Sequence, residues 1–253
     1  MINRNTIINH LAEALRPLPF FYALWLEGAD ATDTVDAYSD IDFWADVDDA
    51  NLAQAYEAVE NALSSIAPID YKYVMRHGHP QIEQRVYHLA NTSEYLMIDF
   101  CWQLSSRPRD EFVYIEGDQV EAVKVLFNKN EVIRYKPLNL ADYAQHNLPR
   151  LEEAKYRRTQ QSRAEKYVQR GQYLEAYAYY NRYVLEPIID ALRLIYTPAH
   201  ADYYLVHISH HIPAVERERL EYFAQIASLE DIQKRITPAG EWFDDLVKRV
   251  VIS

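Results

Sequence analysis

The chain has 253 residues, 49% hydrophobic and 25% charged, which suits one large or two modest folded domains and excludes wholesale disorder. A formal net charge of −12 disfavours nucleic acid as a partner, and no apolar run approaches the roughly 18 residues that cross a bilayer. The single cysteine, Cys101, excludes an internal disulfide, and Asn9, His10 and Glu13 interrupt the N-terminal stretch, so it does not read as a signal peptide and a cytoplasmic protein is expected.

Taken in chain order, Thr6 to Leu15 reads as a helix with Ile7, Ile8, Leu11 and Leu15 on one side, ended by Pro17 and Pro19. Tyr22 to Leu26 is a short apolar run suited to a buried strand, and Ile41 to Val47 is a second. Asn51 to Ser64 spaces Leu52, Tyr56, Val59 and Leu63 for one helical face. Gln84 to Leu89 and Tyr95 to Trp102 read as strands joined by the turn Ala90-Asn91-Thr92-Ser93. Lys124 to Phe127 and Val132 to Tyr135 read as another hairpin around Asn128-Lys129-Asn130.

Near residue 137 the pattern turns helical. Leu140 to Arg170 reads as one long helix or two, stopped by Gly171. Tyr173 to Tyr196 follows, bent at Pro187, and then Ala201 to His211 and Val215 to Ile226. A last stretch from Ile232 is expected to break at Pro238-Ala239-Gly240. The expectation is an α/β (α+β) domain with a mixed sheet over residues 1–137, then an all-α bundle of about five helices over 138–253.

Chemistry concentrates in residues 24–46. An apolar strand runs into Gly28-Ala29, and ten residues later comes Ser39-Asp40-Ile41-Asp42-Phe43-Trp44. Strand side chains alternate, so Asp40 and Asp42 project to one face while Ile41 and Phe43 project to the other. Paired carboxylates suit magnesium, which takes oxygen ligands and is usually held by one or two carboxylates plus substrate phosphates. Gly28 lets the backbone approach a phosphate. A third acid, Asp99, lies in the otherwise apolar run Tyr95 to Trp102 and needs a partner: a metal, a proton or an arginine such as Arg85. Acid-x-acid pairs arise often by chance in a chain with 38 acids; the glycine, the spacing and the third acid add the specificity.

Together these residues resemble the signature of the DNA polymerase beta-type nucleotidyltransferase superfamily. The resemblance is to the minimal nucleotidyltransferases with a helical C-terminal domain, such as the lincosamide and kanamycin enzymes. It covers residues 24–46 and the strand around Asp99, and it extends to the succession helix, Arg170-Gly171-Gln172-Tyr173, helix. It implies transfer of a nucleoside monophosphate from a nucleoside triphosphate to a hydroxyl of a small molecule, an aminoglycoside- or lincosamide-like antibiotic, with Mg2+. It implies that Asp40, Asp42 and Asp99 are the catalytic and metal residues, with Asp99 as ligand or general base. It further implies that Gly28, Ala29 and Ser39 meet the nucleotide, that the helical half forms the other wall of a cleft, and that a homodimer is compatible. Ala29 replaces the family's usual serine, removing a hydroxyl whose place a backbone amide, Thr32 or Ser39 would take. That departure supports a rival reading, a nucleotide-binding or antitoxin-like module without turnover. A second rival is a nucleotidyltransferase acting on a protein or RNA.

Other clusters have plainer readings. Lys155, Arg157, Arg158, Arg163, Lys166 and Arg170 are interleaved with acids and read first as a solvated helix face, with Arg157, Arg158 or Lys166 as candidates to reach a triphosphate. Tyr173, Tyr177 and Tyr180 read as core packing before a ligand pocket. His207, His210 and His211 read as a satisfied or surface cluster before a metal site. His77 and His79 flank Gly78 in a loop and receive no role.

Overall fold

A computed structural model describes residues 2–76, 78–108 and 113–251, so His77 lies outside the described residues. The chain divides into two compact units, Met1–Leu138 and Asn139–Ser253.

The first unit is a six-stranded mixed sheet with helices. Helix α1 (Arg4–Leu15) opens on Asn3, whose side chain accepts from the Thr6 amide, and buries Ile7, Ile8, Leu11 and Leu15. Strand β1 (Phe21–Leu26) leads into a short helix α2 (Gly28–Thr32), then β2 (Ile41–Val47), α3 (Leu52–Ile66), β3 (Ile69–Met75), β4 (Ile82–Leu89) and β5 (Ile98–Leu104). Two-residue β6 (Tyr114–Ile115), then β7 (Lys124–Asn128) and β8 (Tyr135–Lys136), complete the unit. The order in the six-stranded sheet is β3-β4-β5-β2-β1-β7, and within it β2 and β5 pair in parallel while the other neighbours are antiparallel.

Alternation sorts the faces. Ile41, Phe43, Ala45 and Val47 of β2 join Ile98, Phe100 and Trp102 of β5 in a core with the apolar sides of α1 and α3. The opposite face carries Asp42, Trp44 and Asp46 on β2 and Asp99, Cys101 and Gln103 on β5. Asp46 is 2% exposed on that face, hydrogen-bonded by Gln103 Nε2 at 3.3 Å and ion-paired with Arg107. A buried carboxylate is tolerable only with such partners.

Two expectations are corrected, and one strand goes unread in the sequence. The hairpin over 124–135 does not form: β7 pairs with β1, and β8 pairs in parallel with β6. The turn at 90–93 is part of a longer connection, with β5 starting at Ile98. Strand β3 escapes the sequence reading because Asp70 through Met75 are all exposed, so no buried face repeats along it. The strand before Gly28 is followed at once by the helical turns of α2.

The second unit is helical: α4 (Leu140–Thr159), α5 (Ser162–Gln169), α6 (Tyr173–Tyr180), a π segment (Asn181–Leu185), α7 (Glu186–Tyr196), a 3-10 segment (Pro198–Tyr203), α8 (Ile208–His211), α9 (Ala214–Ala224) and α10 (Leu229–Val247). The expected Ala201–His211 helix is instead that 3-10 segment plus one short helix. The intervening carbonyls of Tyr204 and Val206 accept from fully buried Arg193 at 2.8 and 2.5 Å. Pro187 lies within the continuous helical run from Tyr173 to Tyr196, directly after the π segment, where helix irregularities of this kind accommodate a proline. The expected break at Pro238 is absent; α10 runs through it, with Ala239, Gly240, Trp242 and Phe243 buried. Among the described residues no helix is long and apolar enough to cross a membrane.

Arg107→Ala strands Asp46 without its cation. Urea unfolding should report a loss of about 3–5 kcal/mol, with part recovered in the Asp46→Asn double variant. A loss near that of a surface pair, about 0–1 kcal/mol, is the contrary result.

Candidate functional site

Parallel pairing puts register partners on the same face, so Asp42 and Asp99 stand side by side on adjacent strands. Asp40, exposed, immediately precedes β2. Arg4 fixes the approach to it. Its guanidinium donates to the carbonyls of Ser39 (2.8 Å) and Asp40 (2.7 Å) and pairs with the buried Asp30 carboxylate at 2.6 Å. The loop between α2 and β2 is thereby stapled to α1.

Asp42 is the electrostatic centre. Its side chain is half-buried, and no hydrogen bond or ion pair to it occurs among the described residues. Burial, then the negative charges of Asp40, Asp99, Glu27 and Asp30, push its pKa from 3.8 to about 7. Asp99 is also raised, by burial foremost and by Asp40, against a lowering hydrogen bond from Gln84. The Gln84 amide donates to both Asp99 oxygens, at 2.9 and 2.7 Å. Gln84, not Arg85, is therefore the partner of Asp99. Arg85 lies on the opposite face, 2.7 Å from Glu60 and over the Tyr56 ring at 3.5 Å.

The phosphate-side candidates differ from an open cradle. Gly28 has φ +58, and a Cβ there would lie 2.2 Å from Asp42 Oδ2, so the space left by the missing side chain is filled by that carboxylate. Ala29 is half-buried within α2. The Ser39 hydroxyl closes a turn, accepting from the Asp36 amide at 3.0 Å and donating to Asp36 Oδ1 at 2.8 Å. Thr32 donates its hydroxyl to the Gly28 carbonyl at 3.0 Å.

Sequence reasoning missed Glu27. Its backbone amide donates to the Asp42 carbonyl at 3.0 Å. Its carboxylate accepts from Tyr114 Oη at 2.5 Å and Trp25 Nε1 at 3.1 Å, while burial lifts its pKa from 4.5 to about 7. Trp25 in turn stacks on Trp44, ring centroids 6.2 Å apart. An acid directly before the glycine was the available signal. Arg4 and Gln84 carry no motif.

The candidates in the second unit are committed within it. Arg157 pairs with Glu153 (2.9 Å) and Glu186 (3.0 Å), and Arg158 lies 3.5 Å from Asp244. Tyr180 is buried and donates to the Phe223 carbonyl at 3.0 Å, and Tyr173 donates to Ile226 at 3.3 Å; Tyr177 is exposed. Arg193 donates to His211 Nδ1 at 2.9 Å, which places a guanidinium charge beside that ring.

The donors near Asp42 are carboxylate oxygens and one thiol, Cys101, 4.0 Å from Asp99 Oδ1, which burial holds in its neutral form. Among the described residues no group of three or more His, Cys, Asp or Glu side chains is gathered tightly enough to hold a metal. The arrangement therefore fits an ion held by one or two carboxylates and completed by water and phosphate, as magnesium commonly is. It does not fit a closed protein cage.

No family model matches the chain, and no curated protein matches it. Among solved structures it is similar to a spectinomycin adenyltransferase from Enterococcus faecialis, crystallised with ATP and spectinomycin. That similarity has 13% identity and a TM-score of 0.34, covering 97% of this chain and 100% of the other. It is also similar to a nucleotidyltransferase-like protein from Exiguobacterium sibiricum 255-15, at 12% identity and a TM-score of 0.37, over 94% of this chain and 74% of the other.

Asp42→Asn removes a buried charge without changing shape. In metal-free buffer it should raise Tm. The wild-type protein should lose stability as pH rises from about 4 to about 7, because a carboxyl whose folded pKa is raised favours the folded state below that range. The variant should lose that component of the pH dependence. An unchanged or lower Tm in thermal melts across this range would contradict the account.

Proposed function

We propose that the chain is a Mg2+-dependent nucleotidyltransferase, moving a nucleoside monophosphate from a nucleoside triphosphate to a hydroxyl of a small molecule. The observation that supports this best is Asp42: a half-buried carboxylate with no donor among the described residues, facing other acids, beside Asp99 in register. Such a group is costly unless a cation arrives.

In this reading Asp40 and Asp42 hold the metal, with Asp99 as the base, or as a further ligand only if the three carboxylates draw closer than they lie here. Bound magnesium supplies charge neutralisation at the triphosphate and at the reacting oxygens. Asp99, its pKa raised by burial, is suited to accept the proton of the acceptor hydroxyl once Gln84 orients its carboxylate. Backbone amides at Gly28 and Ala29 and the hydroxyl of Ser39 are the candidates for the phosphates. Each needs local adjustment, because Asp42 covers Gly28 and Ser39 is turned to Asp36. The acceptor class we favour is an aminoglycoside- or lincosamide-like antibiotic, on the resemblance of residues 24–46. A cytoplasmic setting accords with the lone, buried Cys101.

Those same adjustments, with Ala29 in place of serine, favour one second reading, a nucleotide-binding module without turnover. A pyrophosphate-release screen with the four ribonucleotides and a panel of hydroxylated antibiotics separates the two. The enzyme reading expects release with at least one pair, reduced at least about 100-fold in Asp42→Asn and in Asp99→Asn. Magnesium-dependent nucleotide binding with no release across the panel supports the module. Neither binding nor release defeats both.

Gly28→Ala should displace the Asp42 carboxylate and strain the positive φ. Titration with Mn2+ followed by electron paramagnetic resonance should show at least about tenfold weaker binding than wild type. Unchanged affinity would remove Gly28 from the site.

A further inference from the structure

Arg193, on α7, is fully buried, and among the described residues no carboxylate is ion-paired with it. Neutral acceptors meet its charge instead. Nε donates to the Tyr204 carbonyl at 2.8 Å and Nη2 to the Val206 carbonyl at 2.5 Å, while Nη1 donates to Thr197 Oγ1 at 3.3 Å and to His211 Nδ1 at 2.9 Å. A guanidinium has no lone pair to offer, so Nδ1 is the acceptor in the last of these and carries no proton. His211 is therefore neutral in this arrangement, with its hydrogen on Nε2. The segment these bonds hold is strained: Tyr204 has φ +50 and His207 φ +52, in the left-handed region that side chains disfavour. Between them Leu205 and Val206 are 43% and 54% exposed, so little apolar burial holds the tip of the segment. Ile208 and Ile212, beyond it, enter the core of the helical unit.

We infer that His211 is an acid-sensitive latch: its protonation sets a second cation and a second donor against Arg193, and residues 203–211 are released while the helices around them stay folded. The groups around the ring reinforce this. Arg193 bears on it from α7, His200 from the 3-10 segment, and His207 and His210 from its own turn, all of them disfavouring a charge on His211. Asp202 and Tyr203 act on Arg193, and Glu216 of α9 accepts from Arg249 at 2.6 Å and from Tyr196 at 3.2 Å. Burial, then Arg193 and these histidines, lower the His211 pKa from 6.5 to about 4. A base whose pKa is lowered in the closed state takes its proton more readily in the open one. The closed segment is therefore fully favoured above about pH 6.5 and loses ground as pH falls toward about 4. The inference does not depend on the proposed activity.

Hydrogen exchange of the full chain, read by mass spectrometry, tests it. Corrected for intrinsic rates, the amides of residues 203–211 should open at least about tenfold more at about pH 5 than at about pH 7.5, with peptides from α7 and α10 unchanged. His211→Asn, whose amide oxygen takes the place of Nδ1 but does not titrate, should keep the protection seen at neutral pH and lose the acid response. His207→Asn and His210→Asn, at exposed positions, should retain that response. In the wild type, ring-nitrogen resonances should show His211 as the Nε2–H tautomer at neutral pH, a result independent of how any variant folds. Protection indifferent to pH, an acid response that survives His211→Asn, an Nδ1–H tautomer, or exchange in α7 and α10 rising together with the segment would overturn the inference.

Discussion

The parallel pairing of β2 with β5 is the constraint on which the acidic face depends. Antiparallel neighbours are easily joined by a short turn, but a parallel pair needs a crossover, and α3, β3 and β4 all lie between these two strands in the chain. Their register, Ile41 with Ile98 through Val47 with Leu104, sends both apolar sets into one core and leaves Asp42 and Asp99 together on the other side. A slip of one residue would invert every side chain and bury the acids against α1 and α3. Core packing of Phe43 on Phe100, ring centroids 5.4 Å apart, therefore also sets the placement of the carboxylates.

Around that pair the protein treats its acids unequally. Asp30 receives Arg4, Asp46 receives Arg107, and Asp99 receives an amide from Gln84. Among the described residues, Glu27 has the weaker company of a phenol and an indole, and the Asp42 carboxylate has no hydrogen-bond or ion-pair partner. Structural acids are compensated; the acid beneath Gly28 is left with an unfavourable charge. A site built to receive a cation has this character, since full compensation by the protein would compete with the ligand.

Much of this was legible in the sequence, for physical reasons. Ile41 to Val47 reads as a strand and is one over the same residues, because alternation with one buried face leaves a period of two. The core faces of α1 and α3 follow from their spacing. Strand β3 was illegible because neither face is buried. Lys124 to Tyr135 looked like a hairpin because its turn residues are correct, yet β1 offered β7 a longer partner. Pro238 looked like a break, but tertiary burial of Trp242 and Phe243 holds α10 together. At the site, carboxylate types and spacing were readable, whereas the partners that distinguish them, Arg4, Gln84 and Tyr114, come from distant segments and leave no local pattern.

The stacked indoles beside the acids have an optical consequence. Trp25 and Trp44 lie on the face that carries Asp42, and Trp25 donates its ring N–H to Glu27. The other two tryptophans, Trp102 and Trp242, are buried in separate cores. Indole emission shifts with the local electric field, so the first pair constitutes a built-in fluorophore whose colour reports how much negative charge that face carries at any moment.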